Sequence, residues 1–404
     1  MYIPRSLEPT LRRASRQFPA VVLLGPRQSG KTTLLRHALQ GRVRHYVSLE
    51  TSDVRAAALA DPRGFLLAHP PPVIFDEIHN APDLLPYIKE AIDAGRDQCG
   101  RFFLTGSQNL LLSQHVTESL AGRAAMLRLL PLSFRELSAS PDQPFAWEKQ
   151  KAEKSRSTAG KPLWPSILRG GYPEVARDPK RDAFLWHSSY VQTYLERDVR
   201  ALRQIGDLAQ FQVFLRALAA RNSQILDLSG LSRDIGVAVN TAKAWLSVLQ
   251  ATWQVFLLPP WHENAGKRLV KSPKVYFGDT GTLCYLAGLR DTAHAAAGPM
   301  GGSLFETAVV TEVFRTLTHR GEDPRVYFWR TSAGVEVDLV VDTGSELIPI
   351  EVKLSQTPKP EMAKGIEAFR RTYPGRAATG YVVHPGDLEL PLGPDAKALP
   401  FARL

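Results

Sequence analysis

Gly25-Pro-Arg-Gln-Ser-Gly30-Lys31-Thr32 follows the apolar run Val21-Val-Leu-Leu24 and leads into a helical pattern over residues 31–39. A short strand, a glycine-bounded turn closing on Lys-Thr and a helix make up the spacing of a phosphate-binding loop in the context it requires. The glycines let the backbone curl until successive N–H groups face one anion, and the helix N-terminus adds partial positive charge. On this reading Gly25, Pro26, Arg27, Gln28, Ser29, Gly30, Lys31, Thr32 and Thr33 line the phosphates of ATP. Lys31 reaches the β- and γ-phosphates, and the Thr32 hydroxyl binds Mg²⁺. An ordinary glycine-rich βα turn is the competing reading, and the strand and helix flanks disfavour it.

Working outward, Val73-Ile-Phe-Asp76-Glu77-Ile-His79 is an apolar strand ending in two carboxylates. Adjacent acids at a strand end are costly unless a cation or solvent faces them. Asp76 is expected to hold the Mg²⁺ through water and Glu77 to polarise the attacking water, with His79 packed nearby. A third run, Arg101-Phe-Phe-Leu104, ends in Thr105-Gly-Ser107-Gln-Asn109. Ser107 and Asn109 are the candidates for sensing nucleotide state, although a helix cap is also consistent with them. Further strands are expected at Val43–Val47 and Met126–Leu130, with helical patterns between. That alternation predicts a three-layer α/β domain with a mainly parallel sheet.

With these motifs in place, the sequence resembles the AAA+ branch of P-loop ATPases. Arg123 then occupies the position of an arginine finger, just before the fifth strand, and a finger acting on a neighbour's nucleotide implies a ring or dimer. A surface arginine is the plainer alternative. The resemblance extends to a prokaryotic family of such ATPases with a conserved C-terminal domain of unknown function. It is carried by Gly25–Leu35, Phe75–His79, Leu104–Asn109, Ser119–Arg123, Arg169-Gly-Gly-Tyr-Pro-Glu174 and Tyr194–Val199. Lys267–Lys274, Phe277-Gly-Asp-Thr-Gly281 and Ile350-Glu-Val-Lys353 continue it.

The remaining chain divides by composition. Residues 1–139 are expected to form the ATPase core and 140–162, poor in large apolar side chains, a linker or surface insertion. Residues 163–205 resemble the helical lid of such ATPases, with Arg197 either a nucleotide-sensing arginine or part of an ion-pair network. Residues 206–300 read as a winged helix-turn-helix and connector: a helix over Leu228–Ile235, a turn at Gly236, and a second helix capped by Asn240. Trp253–Leu258 and Leu269–Phe277 then form a wing hairpin around Lys267, Arg268, Lys271 and Lys274. Such a unit serves either to contact DNA or as a packing module.

Residues 301–404 return to an α/β pattern. Glu336-Val-Asp338 lies on one strand, and Glu351 and Lys353 share a face of the next because strand side chains repeat every two residues. Glu306 sits on the preceding helix. The set resembles the PD-(D/E)xK nuclease core, a restriction-endonuclease-like α/β domain. That resemblance implies Mg²⁺ at Glu306, Asp338 and Glu351, with Lys353 positioning water. A non-cleaving domain of this type, used as a binding platform by a nucleotide-switched ATPase, is the alternative. The layout is also similar to archaeal Holliday-junction resolvases, which would make branched DNA the substrate. Trp329 is expected to pack at the rim of this domain, with stacking on a base the alternative.

Composition limits the rest. Hydrophobic residues make up 44% and charged residues 22% of 404, so a real core is available and wholesale disorder is excluded. No apolar run approaches the length of a membrane span. The first twenty residues hold Arg5, Arg12, Arg13 and Arg16 without an apolar stretch, and only Cys99 and Cys284 are present. A cytoplasmic protein without disulfides is expected. The net charge of +10 raises DNA as a partner, but residues 301–404 carry 12 basic and 14 acidic residues. Phosphate attraction must therefore come from elsewhere in the chain.

Overall fold

The computed structural model describes residues 2–43, 45–107, 119–148, 162–195, 207–264 and 272–404. Asn109, Arg197, Lys267, Arg268, Lys271 and most of the expected insertion lie outside the described residues.

The apolar runs of the first third assemble into one parallel sheet. β1 (Ala20–Leu24), β2 (His45–Ser48), β3 (Val73–Asp76), β4 (Phe102–Gly106) and β5 (Ala124–Arg128) lie in the order β2-β3-β4-β1-β5. β1, β3 and β4 are buried at every position, as expected of strands covered on both faces, and so they read as unbroken apolar runs. Val22, Phe75 and Leu104 pack with Leu84, Ile88 and Ile92 of the helix Leu84–Asp93. On the other face Val21, Ile74 and Phe103 pack with Leu11 and with Leu34 and Leu35 of the helix Lys31–Ala38. These are the three layers expected. β5 begins two residues earlier than Met126, because Ala124 and Ala125 pair with Ala20 and Val21. Residues 1–132, 249–253 and 316–322 form this first compact unit.

Parallel strands all present their C-terminal ends at one edge, where such sheets place their ligands. The loop after β1, the acids ending β3 and the Thr105–Ser107 stretch at the end of β4 meet there. β4 pairs with both β1 and β3, so Thr105 arrives between the loop and the acids.

Residues 133–248, 254–315 and 323–404 form the second unit. It contains the helices Leu208–Ala220 and Leu228–Ile235 and the antiparallel pair β6 (Val255–Leu258) and β7 (Lys274–Phe277). Gly236 takes φ 72, the left-handed conformation that closes the helix before it. The next helix runs from Val239 to Ala251. Asn240 therefore lies in its first turn and is not its cap.

The helix Gly301–His319 leads into β8 (Val326–Arg330), β9 (Glu336–Asp342) and β10 (Leu347–Val352), an antiparallel meander. The helix Lys364–Thr372 then crosses to β11 (Gly380–His384) and β12 (Ala396–Pro400), which continue the sheet in parallel. The sequence reading assigns no elements after Val352. Trp329 is not a rim residue: it is buried, packing edge-on against Phe369. The chain is thus α/β, with a parallel sheet in one unit and a mixed sheet in the other. Among the described residues, no helix is long and apolar enough to cross a membrane.

Candidate functional site

Gly25 stands at φ 152, and a Cβ there would lie 2.0 Å from the Leu129 carbonyl oxygen. Only glycine lets the loop turn this close to the strand-end backbone. Gly30 at φ 91 precedes the helix that begins at Lys31. Arg5 supports the loop from beneath, donating to the carbonyls of Ser29 at 3.0 Å and Leu130 at 2.6 Å. Lys31 Nζ bonds the Gly25 and Pro26 carbonyls, each at 3.0 Å, and so lies across the mouth of the loop. Ser29 Oγ is buried within the loop with no hydrogen-bond partner among the described residues. Arg27 pairs with Glu50 at 2.8 Å.

The strand-end acids are fixed by neighbours from three strands. Asp76 accepts from Thr32 Oγ1 at 2.9 and 3.0 Å, from Thr105 Oγ1 at 2.5 Å and from Tyr46 at 2.8 Å. Burial first, then the bond to Asp76, pushes the Tyr46 hydroxyl up to about 12. Glu77 follows in the left-handed conformation, φ 55, with its N–H bonded to Thr105 Oγ1 at 2.9 Å. That turn aims its carboxylate at the loop. Oε1 stands 3.8 Å from Lys31 Nζ, and Oε2 accepts from the N–H and hydroxyl of Ser107 and faces His79 Nδ1 at 3.1 Å. Burial alone would raise the Glu77 carboxyl, but Lys31, His79 and Arg27 outweigh it and hold the group well below the usual carboxylate range.

Arg123 sits elsewhere. It precedes β5 at the N-terminal end of the sheet, about four strand residues, or roughly 13 Å, below the phosphate edge. It pairs with Asp93 of the same chain at 2.7 Å.

The C-terminal acids are gathered around two lysines. Lys274 Nζ lies 3.0 Å from Glu306, 2.5 Å from Glu336 and 3.9 Å from Asp338. Tyr276 also donates to Glu306, at 2.5 Å. Lys353 Nζ stands 2.6 Å from Glu351 and 3.8 Å from Asp338, while Asp338 accepts from the Val352 N–H at 2.8 Å. Burial, then the Asp338 charge, raises the Glu306 carboxyl to about 7 and that of Glu351 to about 8. Lys274, which burial alone would lower, is held above the usual lysine range by Glu306, Asp338 and Glu336. Lys274 and Lys353 stand among the carboxylates of the expected metal set, Glu306, Asp338 and Glu351. Among the described residues, no group of three or more His, Cys, Asp or Glu is placed to hold a metal ion.

Residues 17–138 match the family model of an AAA domain. Residues 161–293 and 301–404 match two domains of unknown function, DUF8612 and DUF4143. Uncharacterized proteins of Mycobacterium tuberculosis and Mycobacterium bovis are each 33% identical to this chain over 396 residues, covering 96% of it and 82% of each relative. The chain belongs to their family of AAA-domain proteins. The AAA domain makes it a P-loop ATPase of the AAA type. An uncharacterized protein of Methanocaldococcus jannaschii is 22% identical over 364 residues, covering 86% of this chain and 77% of that one. Among solved structures, a Walker-type ATPase of Pyrococcus abyssi is similar over 70% of this chain and 96% of its own, at 16% identity and TM-score 0.46. The Holliday junction branch migration motor RuvB of Thermotoga maritima is similar over 66% and 92%, at 20% identity and TM-score 0.28.

Around this site the sequence reading missed Arg5, Tyr46 and Thr105. Nothing local marks Arg5 or Tyr46, whose partners are remote in the chain. Thr105 carries a signal, a hydroxyl at the end of the third apolar run, two residues before the expected Ser107. The Arg169-Gly-Gly and Gly-Asp279-Thr-Gly281 phrases resolve as a packing knot in the second unit. Asp279 accepts from the Gly171 N–H at 2.7 Å and faces Arg315 at 3.3 Å. A Cβ on Gly170 would lie 2.4 Å from the same carboxylate.

Proposed function

We propose that this AAA ATPase hydrolyses ATP with Mg²⁺ at the Lys31–Asp76–Glu77 site, in the cytoplasm, and uses the energy to remodel or process DNA. The observation that supports hydrolysis is the meeting of Lys31, Thr32, Asp76 and Glu77 at one edge of the sheet, with Glu77 kept ionised and turned toward the loop. The residues fit the nucleotide: within the loop the buried Ser29 hydroxyl has no hydrogen-bond partner among the described residues, and the Lys31 ammonium rests on the loop's own carbonyls. Thr32 and Asp76 would hold the Mg²⁺, which neutralises phosphate charge when bound. Glu77 would polarise the attacking water, and Ser107, bonded to Glu77, would report the nucleotide state to it. Arg123, too far from its own loop, would act on the nucleotide of a neighbouring copy in a dimer or ring.

DNA is supported by the helix pair ahead of the β6–β7 hairpin, the arrangement of a winged helix-turn-helix. Its second helix exposes Asn240, Lys243 and Gln250. ATPase assays with duplex, single-stranded and branched DNA test this. Stimulation that disappears in Lys31→Ala is expected, and equal rates with and without every DNA would refute the DNA role.

The order helix, β8, β9, β10, helix, β11 supports the restriction-endonuclease-like reading of residues 301–404. Asp338, Glu351 and Lys353 then fall at the positions of its catalytic set. The Lys274 ammonium among the acids favours a second reading for this domain, a platform that does not cleave.

A further inference from the structure

The restriction-endonuclease-like layout implies a divalent cation among Glu306, Asp338 and Glu351, and the donor set does not fit one. An ammonium has three protons to give and accepts nothing. The Lys274 ammonium meets three carboxylates, those of Glu306, Glu336 and Asp338, while its side chain is only 5% exposed. Mg²⁺ needs near-octahedral oxygens at about 2.0–2.1 Å and gives up its waters reluctantly. Seating it on the same oxygens would set two cations against each other in a poorly solvated pocket, where charges are weakly screened.

The other acids are occupied too. Glu351 has Lys353 at 2.6 Å on Oε2. Asp338 Oδ2 accepts the Val352 N–H. Nor does Lys274 sit on a loose segment. Its backbone pairs with Leu258 in β6 and is bridged to Ile225 on the other side, so both flanks of the residue are in ladder contacts.

We propose that Lys274 is the built-in cation of this cluster and that it excludes divalent metal. The C-terminal sheet is then a non-cleaving module whose acids fasten strand β7 in place. The inference uses the restriction-endonuclease-like reading only to say where a metal is expected. The charge geometry stands without it.

Iron-directed cleavage of the wild-type chain tests this directly, because Fe²⁺ with ascorbate and peroxide cuts the backbone where the ion binds. No cuts between residues 336 and 353 are expected, and cuts there would overturn the proposal. A Mn²⁺ titration without nucleotide, on chains carrying Asp76→Asn, gives the second measurement. Adding Lys274→Met is expected to tighten Mn²⁺ binding at least about tenfold, with the gain lost on further Asp338→Asn. Lys274→Arg, which keeps the charge, is expected to leave Mn²⁺ binding unchanged. Equal Mn²⁺ affinity in the Lys274→Met and Lys274-containing chains would overturn the proposal. Should Lys274→Met not fold, the wild-type iron cleavage still decides. Both measurements are made without DNA, so a failure to bind DNA would fall on the DNA reading alone.

Discussion

Thr105→Val is the most direct probe of how the phosphate edge is held together. Valine matches threonine in shape, so the change removes one hydroxyl and little else. That hydroxyl makes two contacts: it donates to Asp76 Oδ1 at 2.5 Å and accepts the Glu77 N–H at 2.9 Å, all in buried surroundings. Losing a bond to a charged group costs about 1.5–3 kcal/mol, and leaving a buried N–H unpaired costs about 1–3 kcal/mol. Asp76 keeps Thr32 and Tyr46, so the first figure belongs at its low end and a total of roughly 2.5–4.5 kcal/mol is expected. For a unit of this size that lowers the midpoint of thermal unfolding by about 8–14 °C. Activity should fall further than stability explains, because the Glu77 backbone conformation at φ 55 is pinned by this same bond. A carboxylate displaced by about 1 Å loses up to about a hundredfold in rate, so kcat should drop by about ten- to a hundredfold with a smaller change in KM for ATP. Thermal melts and steady-state ATPase on wild type, Thr105→Val and Thr105→Ser make the comparison. Thr105→Ser keeps the hydroxyl and should recover most of the rate. A Thr105→Val chain within about twofold of wild type in kcat, with an unshifted melt, would refute the reasoning.

Two other outcomes follow from the charge geometry. Mixing Lys31→Ala chains with Arg123→Ala chains should restore part of the ATPase that each lacks alone, because an intact Arg123 on one copy can serve an intact Lys31 on another; a strict monomer in sizing with ATP would remove that role. Glu306 and Glu351 are raised above the carboxylate value of 4.5, so their contribution to stability is complete below about pH 4.5 and lost as pH rises through about 7 and 8. Urea unfolding followed by tryptophan fluorescence should therefore show the second unit weakening across that window, with Glu351→Gln flattening the slope; an unaltered slope would show that this carboxyl does not hold the proton.

The phosphate-binding loop was legible because its chemistry is local. Eight contiguous residues supply the glycines, lysine and threonine that a phosphate needs, and an apolar strand ending in Asp76-Glu77 announces itself by the cost of two acids there. The C-terminal acids were legible as a set by the strand period, which put Glu351 and Lys353 on one face. Their partner was not. Lys274 read as one of several basic residues in a wing, and only the packing of β7 brought its ammonium to Glu306, Glu336 and Asp338.

The sequence alone therefore determined the class of chemistry at the first site and the alternation of strands and helices that carries it, because backbone curvature, strand period and apolar runs are properties of neighbouring residues. Tertiary structure decided what surrounds each charge. The strand order β2-β3-β4-β1-β5 set Thr105 between the loop and the acids, Arg5 reached the loop from far along the chain, and Lys274 came to lie among Glu306, Glu336 and Asp338. The physical reason is that a buried charge takes whichever counter-charge the fold brings within a few ångströms, and that choice depends on strand order and packing rather than on distance along the chain.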